Sequence, residues 1–191
     1  RRFLTYGVSG GIAEILIMLV GPLAGFTLPL QAGQILWVNL LTHGLPGVAM
    51  GNEPAEADVL SRPPRAPGEQ LLNRRTGGRI AALGLVVATA TLLAGVYARR
   101  WGHPWQSTMF LGLTFAQLAI ALALRPRRTS RHHNRALLGA VALNVVLAVL
   151  AVSWRPLQEL LRTRSLSLAE IVPCLLVAVV AAATARWQTR H

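Results

Sequence analysis

The sequence predicts an all-α membrane protein: a six-helix transmembrane bundle with both termini cytoplasmic and a discontinuous second helix. Three observations predict it. The 191 residues are 53% hydrophobic and only 14% charged, with a mean hydropathy of +0.46, a combination that soluble domains of this length rarely show. Apolar runs of about 20 residues, enough to cross ~30 Å of hydrocarbon, recur along the chain. Between them lie arginine-bearing connections, none long enough for a soluble domain.

Six runs emerge in order, covering roughly residues 4–24, 34–51, 79–98, 106–124, 136–154 and 168–187. The connection 52–78 is the longest; its proline, glycine and charge mark a surface loop. All the basic charge is arginine, 19 residues with no lysine, and the net charge is +12. A nucleic-acid footprint is a continuous basic patch, whereas these arginines punctuate apolar runs. The partner they imply is the lipid bilayer, not nucleic acid. Fourteen of them lie at the N-terminus (Arg1, Arg2), in and beside the 52–78 loop (Arg62, Arg65, Arg74, Arg75, Arg79), in the fourth connection (Arg125, Arg127, Arg128, Arg131, Arg135) and at the C-terminus (Arg186, Arg190). The opposite side holds five: Arg99, Arg100, Arg155, Arg162 and Arg164. The positive-inside rule places the richer side, with both termini, in the cytoplasm, and a plasma-membrane location is expected. Trp101, Trp105, Trp154 and Trp187 fall near run ends, as an interfacial belt requires; Trp37 falls inside a run. Cys174 is the single cysteine and has no partner for a disulfide within the chain. The chain begins with Arg1 and shows no secretory leader pattern, so it reads as a fragment of a longer polypeptide.

Polar groups at membrane depth are costly and point to function. Of seven acidic residues, Glu53, Glu56, Asp58, Glu69 and Glu159 fall in loops and Glu170 at the start of the last run. Glu14 alone is left at depth. Gly7, Gly10, Gly11 and Glu14 share one helical face by their i, i+3, i+4, i+7 spacing. In the second run Asn39, Thr42, His43 and Pro46 repeat that spacing. Pro46 has no N–H, so the Thr42 carbonyl loses its helical partner. With Gly44, this predicts a helix break and an unwound stretch at the midplane, tolerable only where protein or a cavity surrounds it. Oxygens of Glu14, Asn39, Thr42 and the freed backbone suit a hard cation. The competing reading is helix packing through small residues, with Asn and Thr as interhelical glue. Gln117 in the fourth run is either a further ion ligand or a neutral packing group. His103, His132, His133 and His191 fall in loops or at the terminus, where solvent or headgroups are the expected surroundings.

The run QILWVNLLTHGLPGVAMGNEP, followed by ADVLSRPPRAPGEQLL, resembles the sixth membrane helix and next cytoplasmic loop of P-type cation-transporting ATPases of the calcium-pump type. The R-P-P-R element, Arg62 to Arg65, after W-V-N-L-x-T-x-G-L-P is a specific signature. YGVSGGIAEIL looks like the fifth helix of that family, TMFLGLTFAQL like the eighth, and PLQELL with LSLAE like the region between the ninth and tenth. The resemblance covers essentially the whole chain as helices five to ten, and it implies active transport of a cation that the sequence leaves unnamed.

By motif position, Glu14 matches the fifth-helix carboxylate ligand, while Asn39 and Thr42 match sixth-helix ligands. Gly11 stands where calcium pumps have an asparagine, His43 where they have an aspartate, and Gln117 where they have a glutamate. Two carboxylates are missing. His43 has three readings: a neutral imidazole ligating a transition metal, an imidazolium that repels a second ion, or a structural group. The phosphorylated aspartate of the family's D-K-T-G is not in this chain, whose one Asp is Asp58. ATP and Mg2+ are therefore expected to act only through the actuator, phosphorylation and nucleotide-binding domains, which with the N-terminal membrane helices are the expected partners; the chain alone supplies no catalytic residue. The alternative is a truncated or decayed non-enzymatic module that packs on other membrane proteins. A passive channel or secondary transporter ranks behind both.

Overall fold

The computed structural model describes residues 2–52, 73–125 and 134–190. The described residues are helical or irregular, with no strand among them. In chain order the elements are α1 (Arg2–Val20), α2 (Ala32–Trp37), a π-helical turn (Val38–His43), α3 (Gly44–Gly51), α4 (Arg74–Arg100), α5 (Trp105–Ala123), α6 (Arg135–Ser153), α7 (Arg155–Leu161) and α8 (Leu168–Arg190). Among them α1, α4, α5, α6 and α8 are each long and apolar enough to cross a membrane. The second expected span is helical from 32 to 51 but consists of three pieces in different registers. The R-P-P-R element, the acidic residues Glu53, Glu56, Asp58 and Glu69, the arginines Arg1, Arg127, Arg128 and Arg131, and the histidines His132, His133 and His191 lie outside the described residues.

α5 is the hub. Its residues Thr108 to Leu113 are buried in succession, as happens when a helix is surrounded by others, and α8 and α4 pack along it most extensively. Small residues allow the close approach. A Cβ added at Gly112 would touch Val177 Cγ2 at 3.6 Å and Cys174 Cα at 3.7 Å, and the Cys174 thiol donates to the Thr108 carbonyl at 3.4 Å. α1 lies against α4, where a Cβ at Gly84 would meet Ile12 and the Ser9 carbonyl oxygen at 2.9 Å. Leu36, Leu40, Val48, Leu93 and Val179 point outward.

Polar contacts gather at the two ends. At one, Arg99 Nη1 donates to the Gly25 carbonyl at 2.5 Å while its guanidinium sits 4.9 Å from the Phe26 ring centroid, and Phe26 packs on Trp105 at 4.8 Å. There too Gln106 Nε2 donates to the Leu28 carbonyl at 2.8 Å, and Gln34 Nε2 to the Leu161 carbonyl at 3.0 Å. The short α7 was not expected from sequence; Pro156 fits its first turn, and Arg162 ends it in the left-handed region at φ 52°. His103 was expected to meet solvent or headgroups. Its side chain is 38% exposed, and its Nδ1 pairs with Glu170 Oε1 at 2.6 Å.

At the opposite end, Asn73 caps α4 by accepting from the Thr76 N–H at 2.8 Å, so this helix starts before the expected residue 79. Asn134 Oδ1 caps α6 through Leu137 N–H at 2.9 Å, and its amide nitrogen donates to the Ala49 carbonyl at 2.9 Å. Arg2, Arg74, Arg75, Arg79, Arg125, Arg135 and Arg186 belong to this end; Arg99, Arg100, Arg155, Arg162 and Arg164 belong to the other. The arginines thus segregate between the ends as their sequence positions require.

Candidate functional site

The site lies where α1 faces the π-helical turn and α5. On α1, Tyr6, Gly10 and Glu14 recur every fourth residue and share one side of the helix. Tyr6 is fully buried and Glu14 is 6% exposed.

Opposite them the backbone departs from α-geometry over Val38–His43. The cause is legible in the chemistry of Pro46, which offers no N–H to the Thr42 carbonyl. The orphaned carbonyl has another partner: the Tyr6 hydroxyl donates to it across the helix interface. The expected unwinding does not occur. Because Tyr6 satisfies the freed oxygen, the chain stays helical and widens into a π turn, a device that recurs at functional sites. Gly44 is not a break either; it sits in ordinary right-handed conformation at φ −65° and ψ −57°.

The π turn presents Asn39 and His43 to α1. Asn39 Nδ2 donates to Glu14 Oε2 at 2.9 Å and to the Ile35 carbonyl at 3.0 Å, while its Oδ1 lies 3.4 Å from His43 Nδ1. His43 Nδ1 is also 3.9 Å from Glu14 Oε1, and the ring packs edge-on against Tyr6 with centroids 5.4 Å apart. Gly10 makes this possible. A Cβ there would run into the His43 imidazole and come within 3.0 Å of Gln117 Nε2. His43 and Gln117 therefore meet over bare α1 backbone.

Of the residues singled out in the sequence, Glu14, Asn39, His43 and Gln117 converge. Thr42 adjoins them on the π turn with its carbonyl occupied by Tyr6. Gly7 and Gly11 do not join: no atom of the described residues beyond their own stretch of α1 stands within 4 Å of a Cβ added at either. Sequence reasoning passed over Tyr6. The signal was the spacing Tyr6, Gly10, Glu14, a four-residue stripe on α1.

The chemistry is unusual for an interior. Glu14 Oε1, Thr42 Oγ1, His43 Nε2 and both Gln117 amide atoms are buried with no hydrogen-bond partner among the described residues. Buried polar atoms are ordinarily paired, because an unpaired one costs about 1–3 kcal/mol. Other unpaired atoms occur at Trp37, Thr91, Thr114 and Asn144; what sets this group apart is that its members are neighbours. One carboxylate with hydroxyl, amide and imidazole donors is a set that holds a cation. Among the described residues no group of three or more His, Cys, Asp or Glu is placed to hold a metal ion.

Residues 27–190 match the family model described as cation transporting ATPase, C-terminus. The chain belongs to this family. It is 36% identical, over 85% of its length, to a calcium-transporting ATPase of Bacillus subtilis. It is 31% identical over 90% of its length to the calcium-transporting ATPase type 2C member 2 of Mus musculus, and 28% identical over 90% to type 2C member 1 of Homo sapiens. The chain spans about a fifth of the length of these relatives. It is thus the C-terminal membrane region of a P-type cation ATPase, a multi-pass, all-helical membrane segment. The stretch that supplies the π turn, α5 and α8 lies inside the matched region, whereas Tyr6, Gly10 and Glu14 on α1 precede it.

Proposed function

We propose that this chain is the ion-binding and translocating part of an ATP-driven cation pump, with Glu14, Asn39, Thr42, His43 and Gln117 forming the site of the transported cation. The observation that carries this reading is the convergence of unpaired buried donors from α1, the π turn and α5 around a single carboxylate. The helical stretch 32–51 serves as a sixth span alongside the five long helices. Both termini face the cytoplasm, since the arginine-rich end of the bundle is the one they occupy, and the plasma membrane is the expected location.

Aspartyl phosphorylation, with ATP and Mg2+, takes place in actuator, phosphorylation and nucleotide-binding domains of the same pump, preceded by further membrane helices. Movement of α1 relative to the π turn would change the Glu14–Asn39 contact and with it the access of the ion. Tyr6 to Thr42, Glu14 to Asn39 and Gly10 under His43 are the contacts that such a movement would alter.

In the intact pump, Glu14→Gln keeps the side-chain shape but removes the charge. Cation-dependent ATP hydrolysis and cation affinity are expected to fall by about tenfold to a hundredfold, the scale of losing a charged partner in a buried site. Turnover and affinity equal to those of the parent would overturn the assignment of the site.

A further inference from the structure

The start of α4 is electrostatically unbalanced. Arg74 and Arg75 occupy its first turn, with no acidic residue there, although the N-terminal end of a helix disfavours cations. Arg75 and Arg79 stand four residues apart, and like charges at that spacing repel. The described carboxylates give no relief: Glu14 faces His43 and Glu170 faces His103, while Glu159 belongs to α7 at the other end. α8 adds a further charge at the same level. Gln188 Nε2 donates to the Arg79 carbonyl at 3.0 Å, which sets the end of α8 beside the start of α4 and brings Arg186 to that depth. Arg74, Arg75 and Arg186 are exposed and Arg79 is half-buried. Among the described residues none of them has a carboxylate partner.

At the far end of α4 Tyr97 and Trp101 pack together with ring centroids 6.2 Å apart, as aromatic side chains do at a membrane interface. From Tyr97 back to Arg79 is about 27 Å of helix, close to the ~30 Å thickness of the hydrocarbon layer. That depth puts Arg79 and Arg186 at the opposite headgroup level, with Arg74 and Arg75 a turn further out. Deeper along the same two helices, Leu85 on α4 and Leu176 and Val179 on α8 are exposed. We propose that Arg74, Arg75, Arg79 and Arg186 form a binding surface for anionic phospholipid, holding its phosphate at headgroup level while the acyl chains lie along the apolar outer faces of α4 and α8. The positive-inside rule accounts for arginine at this end of the bundle. It does not account for arginines gathered on two adjoining helices with no carboxylate among them. A guanidinium matches a phosphate through paired hydrogen bonds, and the anion supplies the negative charge that the first turn of α4 lacks. This surface is separate from the ion site and does not depend on it.

The test uses the intact pump reconstituted in phosphatidylcholine vesicles containing increasing amounts of phosphatidylglycerol. Trp187 adjoins Arg186 and is exposed, so its fluorescence, isolated as the part lost in Trp187→Phe, reports contact with bromine-labelled lipid. Brominated phosphatidylglycerol is expected to quench Trp187 at a mole fraction about tenfold below that needed with brominated phosphatidylcholine. Combining Arg75→Gln, Arg79→Gln and Arg186→Gln is expected to erase that preference. Should the combined variant fail to fold, Arg186→Gln decides alone, with an expected loss of about fivefold. Arg125→Gln with Arg135→Gln removes charge at the same end of the bundle but away from α4 and α8, and is expected to leave the preference in place. An equal loss in both sets of variants would reduce the effect to general surface charge and overturn the site. A parent that shows no preference between the two lipids would overturn it as well, since the arginines would then be covered by protein rather than lipid.

Discussion

The two sides of α5 spend the same raw materials differently. Where α5 meets α8 and α4, small and apolar residues close on one another; Gly112 sits at ordinary contact distance from Val177 and Cys174, and even the thiol finds a carbonyl. Where α5 meets α1 and the π turn, a glycine again brings helices close, but what it admits is an imidazole and an amide. The orphaned donors of Glu14, Thr42, His43 and Gln117 stand on that side. The difference shows that close packing in this bundle serves two ends: on one side it removes space, on the other it gathers polar groups, some paired as Asn39 is with Glu14 and some left unpaired.

Substitutions can break this contrast, and their effects should descend in order. The largest belongs to Glu14→Gln, described above. Next is Gly10→Ala, whose Cβ would displace the His43 ring from α1; overpacking costs of about 1–3 kcal/mol are typical, and cation affinity of the intact pump should drop at least about tenfold if the ring is a ligand. Cation-titrated ATP hydrolysis measures it. Tyr6→Phe leaves the Thr42 carbonyl without its hydroxyl partner, at an expected cost of about 1–2 kcal/mol in stability, read as a lower thermal midpoint in detergent with only a small change in ion selectivity. Smallest is Gly112→Ala on the packed side. The added methyl meets ordinary van der Waals contacts, so stability and transport should stay within about 0.5 kcal/mol of the parent. Equal effects of Gly10→Ala and Gly112→Ala would erase the distinction between the two sides.

Much of this was legible without coordinates. Long apolar runs announce membrane helices because backbone in hydrocarbon must satisfy itself, and five of the six expected spans appear as single long helices. Their ends were harder: Asn73 and Asn134 start α4 and α6 through side-chain caps, which hydropathy does not register. Glu14, Asn39 and His43 stood out because polar groups at depth are costly, and helical spacing placed them on facing stripes. That Gly11 belongs to open space and Gly10 to the site was not readable, since the two residues differ by one position and only the rotation of α1 against its neighbours separates them.

Composition, span lengths, arginine placement and the loss of an N–H at Pro46 are properties of the chain alone, and by themselves they determined a helical membrane region with a disturbed second span and one buried acid. The tertiary structure decided what the disturbance became. A carbonyl freed by proline must be satisfied by whatever group stands across from it, and only the packing of α1 put the Tyr6 hydroxyl there. The helix widened instead of unwinding, and the widened turn aimed Asn39 and His43 at Glu14.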